Sequence, residues 1–255
     1  MWMLVAILLG VLIASLVTGG VFRWHPEWAW MRPKRACVMC EVPRRGLDVV
    51  PILGDARSLW RCRACRAVLP WQYPAIELVI VGLTVFHVWR YQSGVWIPDE
   101  ATELLFAWLA RDILFTVALL LVFVYDLKYT LILPVYAIPS AIIAFALNLA
   151  LGVPLSSLAL GMAMLFLFFL LQHALSGGRL LGAGDVTMGL VLGAMLGFVD
   201  GIVAVMLAYI LGAIVGVVLV ATKWCGLHDR VPFGTFLAVA GFILLVWGDI
   251  LTKIL

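Results

Sequence analysis

Two aspartates stand where an apolar chain has least reason to keep them. Asp126 closes the apolar run in VFVYDLKYTLILP, and Asp185 opens another in RLLGAGDVTMG. A carboxylate at a membrane boundary is costly, so such residues are candidates for function. Two of them brought together cannot both ionise cheaply, and one keeps a proton while the other stays charged. The charged one can deprotonate water and the protonated one can polarise a peptide carbonyl, which is the acid–base division of an aspartyl protease. Gly182 and Gly184 precede the second aspartate and permit unusual backbone angles and close approach, which would let a substrate strand lie against it. A plainer reading makes Asp126 a helix-end charge beside Lys128, and Asp185 an N-cap.

A second set of residues has metal chemistry. Cys37, Cys40, Cys62 and Cys65 form two C-x2-C pairs separated by 21 residues. Each pair bends the chain so that two thiolates point at one centre, and four thiolates make a closed structural zinc site. The polar segment that holds them, residues 21–74, has too few aliphatic side chains to build much of a core, and a metal would supply the missing folding energy. Disulfides are the alternative, disfavoured on a reducing cytoplasmic face. Cys225 stands apart and reads as packing.

The elements that must position these groups follow from composition. The chain has 255 residues, 65% hydrophobic and 12% charged, with a mean hydropathy of +1.14. A soluble domain is about half apolar and about a quarter charged, so the class is an all-α polytopic membrane protein. About eight transmembrane helices fit: 2–20, 75–91, 104–125, 131–151, 155–174, 186–199, 201–222 and 233–251. The turn between the sixth and seventh, Val199-Asp200-Gly201, is tight. The first span lacks the basic start and small-residue cleavage site of a signal peptide and is expected to be retained. The resulting domains are a first helix (1–20), a cytoplasmic tetracysteine, zinc-ribbon-like segment (21–74), a second helix with its outer loop (75–102) and a six-helix core (103–255).

Charge sets the orientation. Arg23, Arg32, Lys34, Arg35, Arg44, Arg45, Arg57, Arg61, Arg63 and Arg66 are ten of the 17 Lys and Arg residues, and all lie in 21–74, which should be cytoplasmic. Alternation of spans then puts Lys128, Arg179, Lys223 and Arg230 inside, Asp99, Glu100, Glu103 and Asp200 outside, and both termini outside. Asp126 and Asp185 fall at the same cytoplasmic depth. The basic loop suits anionic lipid rather than nucleic acid.

These residues resemble the type IV prepilin peptidases, the leader peptidase/N-methyltransferase family of GxGD membrane aspartyl proteases. CVMC and WRCRACRAVLPWQYPAIELVIVGLT resemble the family's cysteine loop and second helix, YDLKYTLILP the stretch with its first catalytic aspartate, LGAGDVTMG its G-x-G-D box, and VPFGTFLAVAG its C-terminal P-F-G motif. The resemblance implies Asp126 and Asp185 as the catalytic pair. It implies cleavage of a short basic leader from prepilins or pseudopilins at the cytoplasmic face of the inner membrane, followed by N-methylation with S-adenosylmethionine. By analogy, Pro232, Phe233 and Gly234 would hold substrate near Asp185. The chain departs from the family where TGGVFRWHPEW replaces a serine-phenylalanine-asparagine run, and where Val135 follows Pro134 in place of an acid.

Other polar residues have weaker claims. Glu77 is either a helix-start charge favoured by the dipole or part of a methyl-transfer pocket. Arg111 and Asp112 are neighbours and so are not expected to face each other; each is expected to face another span or to snorkel outward. His173 reads as a packed or interfacial histidine. Gly189, Gly193 and Gly197 form a small-residue stripe, the mark of ordinary close helix packing, that could also bring the sixth span against the third. Two other functions fit parts of the chain: a GxGD peptidase cutting other membrane segments, and a non-catalytic membrane assembly factor whose zinc loop binds a partner.

Overall fold

The computed structural model describes residues 2–21, 72–94, 104–179, 181–224 and 231–254, together with 40, 42, 61, 62, 64–67 and 226. Among them are seven helices: α1 (Trp2–Val21), α2 (Gln72–Ser93), α3 (Leu105–Tyr129), α4 (Pro134–Ala150), α5 (Leu155–Ser176), α6 (Ala183–Ala221) and α7 (Phe233–Ile254). Four stretches, Pro74–Ser93, Leu105–Tyr129, Leu155–Ser176 and Ala183–Ala221, are long and apolar enough to cross a bilayer, and the apolar stretches Trp2–Val17, Pro134–Ala150 and Phe233–Gly248 lie in the three other helices. The protein is a helical membrane protein. It divides into two compact units, Met1–Ser93 and Gly94–Leu255.

In the first unit α1 packs on α2. Ala6, Gly10 and Ala14 recur every fourth residue and let the backbones approach; a Cβ on Gly10 would stand 3.0 Å from Val81 Cα. The opposite face of α1 presents Leu4, Leu8, Leu12 and Leu16, exposed as lipid-facing side chains are. On α2 the polar residues Glu77, Thr84, His87 and Arg90 are all buried.

In the second unit α6 packs on α5, α4 and α7, and α3 packs on α7 and α4. Helix α6 is 39 residues long, about twice what a bilayer needs, and it is broken at Gly197, with φ 76° and ψ −159°. That conformation belongs to glycine, and a Cβ there would also strike Ser157 Oγ at 2.6 Å. The chain reverses at this point. Gly189, Gly193 and Gly197 run down α5 past Leu165, Met162 and Ser157, whereas Gly201 returns to Leu165 and Tyr209 reaches Gln172. The glycine stripe therefore seats this limb on α5, and not on α3 as the sequence expectation had it: the added Cβ of Gly193 would lie 2.4 Å from the Met162 nitrogen.

The reversal frees backbone groups, and side chains from other helices take them. Asn148 of α4 donates its amide to the carbonyls of Ala194 (2.7 Å) and Met195 (2.9 Å). Phe198 N–H donates to Ser157 Oγ at 3.2 Å. Arg111 of α3 donates to Asn148 Oδ1 at 3.2 Å and, through two nitrogens, to Asp112 Oδ1 at 2.9 and 2.6 Å. The neighbouring Arg111 and Asp112 thus do form an ion pair, contrary to expectation. Spacing along the helix governs short side chains, but the long arginine folds back over Trp108, 4.1 Å from its ring centroid, and reaches the carboxylate beside it. A buried carbonyl left unbonded costs about 1–3 kcal/mol, so this clamp holds the turn.

Candidate active site

Asp126 lies in the last turn of α3, four residues before that helix stops at Thr130, a left-handed residue with φ 49°. The chain then crosses Leu131-Ile132-Leu133 and enters α4 at Pro134, whose fixed φ suits a first helical position. The Asp126 side chain is 5% exposed. Its Oδ2 accepts the Thr235 N–H at 2.7 Å, so the carboxylate sits on the N-terminus of α7, where unpaired N–H groups and the helix dipole both favour negative charge. Thr235 fastens that helix start by donating Oγ1–H to the Pro232 carbonyl at 2.6 Å.

Gly234 explains the P-F-G sequence. A Cβ on it would stand 2.9 Å from Asp126 Oδ2 and 2.7 Å from Ile132 Cδ1. The glycine of the motif thus packs on Asp126; the sequence reading tied the motif to substrate held near Asp185. Phe233 points the other way, its ring 4.9 Å from Tyr209 and 6.3 Å from Phe169 between centroids.

Asp185 is the third residue of α6 and is 8% exposed. Its Oδ2 accepts the N–H of Gly182 at 3.0 Å, the reciprocal half of a capping box. Gly182 is the N-cap, so the plainer sequence reading has the right kind of contact on the wrong residue. Gly182 has an ordinary φ of −75°, and Gly184 is not among the left-handed residues. The expectation of unusual backbone angles is therefore corrected: Gly184 is required because its Cβ would meet Ile132 Cβ at 2.8 Å.

Ile132 is the residue that sequence reasoning missed. Buried between α6 and α7, it touches Gly184 with one end and Gly234 with the other. Through it the two aspartate-bearing segments converge, and the two carboxylates are near enough for their charges to interact. Its signal in the sequence was only its place, between an aspartate and a helix-starting proline. Behind Asp185, His173 Nδ1 lies 2.8 Å from the Leu181 carbonyl and Tyr209 donates to Gln172 Oε1 at 2.7 Å. Tyr125 stacks near Tyr129 and Tyr136 beside Asp126, at 5.8 and 6.0 Å between ring centroids.

In the first unit, the sulfurs of Cys40, Cys62 and Cys65 lie within 4.8 Å of one another. Cys40 Sγ and Cys62 Sγ are 3.7 Å apart, close to the roughly 3.8 Å edge of a tetrahedron with about 2.3 Å metal–sulfur bonds. The chain turns tightly behind them, with Cys62 N bonded to Ala67 O and Arg66 N to Cys62 O, both at 2.8 Å. The donor set suits a metal cation. Cys37, like Cys225, lies outside the described residues. Glu77, on α2, is 4% exposed.

Two family models match the chain: the bacterial peptidase A24 N-terminal domain over residues 8–91, and the type IV leader peptidase family over residues 113–217. The chain belongs to the type IV leader peptidase family. A prepilin leader peptidase/N-methyltransferase of Aeromonas salmonicida is 31% identical over 88% of this chain and 74% of its own length. Proteins of the same description from Aeromonas hydrophila and Pseudomonas aeruginosa are 28% and 26% identical, over 90% and 87% of this chain and 77% and 74% of their own lengths. No solved structure matches the chain. The boundary between the two family models falls close to the boundary between the two compact units, so the peptidase match carries both aspartates and the N-terminal match carries Cys40, Cys62 and Cys65.

Proposed function

We propose that Asp126 and Asp185 are the catalytic pair with which this membrane enzyme removes the leader from type IV prepilins or pseudopilins. Leader-peptide cleavage and N-methylation are the activities of the family to which the chain belongs. The observation that carries the assignment is the convergence of the two buried carboxylates on Ile132 and the start of α7. Each uses Oδ2 to accept a backbone N–H, Asp126 from Thr235 and Asp185 from Gly182, which fixes both side chains; Oδ1 on either side is the oxygen that would take the water and the shared proton. The ionised carboxylate takes a proton from the water as it attacks the scissile carbonyl. The protonated one donates to the carbonyl oxygen. The proton gained from water then passes to the leaving amine as the C–N bond breaks, and a hydroxyl of the gem-diol returns its proton to the other carboxylate, which restores the pair. Hydrogen bonds already formed to the carboxylates need no rearrangement during these steps.

The reading extends to the whole chain. The reversal of α6 at Gly197 supports two crossings within one long helix, hence eight in all, with the site and the basic cysteine segment on the cytoplasmic side and the termini outside. Cys37 would complete a structural zinc site with Cys40, Cys62 and Cys65; the ion would supply folding energy and no catalytic step. S-adenosylmethionine would supply the methyl group, and buried Glu77 is the carboxylate suited to its positive charge. Gly182, Gly184, Pro232, Phe233 and Gly234 act as supports of the carboxylates.

The test is co-expression with a prepilin, reading leader removal and N-terminal mass. Asp126→Asn and Asp185→Asn should each abolish cleavage while the protein still accumulates in the membrane. Cleavage at the wild-type rate by either folded variant would sink the assignment.

A further inference from the structure

We infer that His173 is a positioning residue for Asp185, acting through the peptide bond between Leu181 and Gly182; the inference rests on the peptidase reading above. The Leu181 carbonyl can only accept, so at 2.8 Å the His173 Nδ1 must carry the hydrogen and donate it. The carbonyl of Leu181 and the N–H of Gly182 belong to one planar peptide group. That N–H donates to Asp185 Oδ2 at 3.0 Å. A continuous relay results: imidazole N–H to carbonyl, across the amide, and amide N–H to the carboxylate. Each hydrogen bond polarises the next in such a chain, and the planarity of the amide means that holding its oxygen also holds the direction of its N–H.

The fold is shaped to present the imidazole. Helix α5 ends at Gly177, a left-handed C-cap, and Gly178 follows with φ 73° and donates its N–H to the His173 carbonyl at 2.9 Å. This is a Schellman-type closure, which turns the chain back over the last turn of α5. The ring lies against Gly178, where a Cβ would stand 3.2 Å from His173 Cε1. Leu181 is buried, so its carbonyl lies where a lost donor is not readily replaced by water.

The experiment uses the full-length enzyme in membranes, a purified prepilin, and steady-state rates for His173→Asn, His173→Leu and His173→Gln. Asparagine places an N–H near the Nδ1 position; leucine has nearly the shape of asparagine and no donor; glutamine carries its donor one methylene too far. The leucine and glutamine variants should lose roughly tenfold or more in kcat with KM within about twofold, and asparagine should restore most of the loss. Equal activity of the leucine variant and wild type overturns the inference, as does an asparagine variant as slow as leucine when both are folded by thermal unfolding. If the leucine variant fails to accumulate, the asparagine–glutamine pair makes the same comparison. Wild type and Asp185→Asn run alongside: an inactive wild type, or an active Asp185→Asn, brings down the peptidase reading and this inference with it, whereas a correct pair of controls makes any failure in the His173 series its own.

Discussion

The contact between Gly234 and Asp126 gives a sharp test, because one methyl group should uncouple activity from folding. In Gly234→Ala the new Cβ would stand 2.9 Å from Asp126 Oδ2, 3.0 Å from its Cγ and 2.7 Å from Ile132 Cδ1. All three are movable side-chain atoms, so the protein can accommodate the methyl, but only by displacing the carboxylate that Thr235 N–H holds at 2.7 Å. A hydrogen bond to a charged group contributes about 1.5–3 kcal/mol. At about 1.4 kcal/mol per tenfold in rate, kcat should fall roughly 10- to 150-fold. The cost to stability should be small: overpacking of about 1–3 kcal/mol is offset by about 1 kcal/mol from replacing glycine in a helix. Gly216→Ala is the control, since a Cβ there meets nothing within 4 Å; it should keep full activity and gain up to about 1 kcal/mol of stability. The assay is steady-state prepilin cleavage in membranes, with thermal unfolding measured in parallel. A Gly234→Ala enzyme with wild-type kcat would refute the placement of Asp126 against the start of α7.

Three further outcomes are expected. Gly193→Ala should destabilise the fold by about 1–3 kcal/mol or more, read as a lower unfolding temperature, because its Cβ would press on backbone atoms of Gly161 and Met162 within 2.6 Å, and backbone cannot step aside. Asp112→Asn, which leaves Arg111 buried without its counter-charge, should cost about 3–5 kcal/mol, and Asn148→Leu about 1–3 kcal/mol for each of the two carbonyls it releases, both read as loss of folded protein in detergent melts. Metal analysis of purified protein should find about one zinc per chain, and Cys62→Ser should reduce it and lower the melting temperature while leaving thiol content otherwise intact.

Much of this was legible in the sequence because hydrocarbon is an unforgiving solvent. Asp126 and Asp185 stood out since a charge beside long apolar runs has few structural excuses, and the cysteine pairs stood out by spacing. The reversal within α6 was legible as the tight turn near Asp200, although the break itself falls at Gly197. What failed was anything that depended on which helix faces which. The glycine stripe announces a close approach but does not name the partner, and α5 proved to be that partner. That the glycine of the P-F-G motif packs on Asp126 was not legible for the same reason. Arg111 and Asp112 were misjudged because a rule built on Cβ directions ignores how far an arginine can fold back. Ile132 had no signal beyond its place between Asp126 and Pro134, since its importance lies in the two glycines that later segments bring to it.

The reversal at Gly197 also bears on where in the bilayer the reaction happens. From Ala183 to Leu196 the first limb of α6 rises about 20 Å at 1.5 Å per residue, while the hydrocarbon core is about 30 Å thick. A limb this short cannot hold Gly197 at one lipid surface and Asp185 at the other without hydrophobic mismatch. Either the leaflet thins around the enzyme or Asp185 rests below the plane of the headgroups. Under the catalytic assignment proposed above, either arrangement sets the height of the reacting carboxylates by the length of this limb and not by any contact with a substrate.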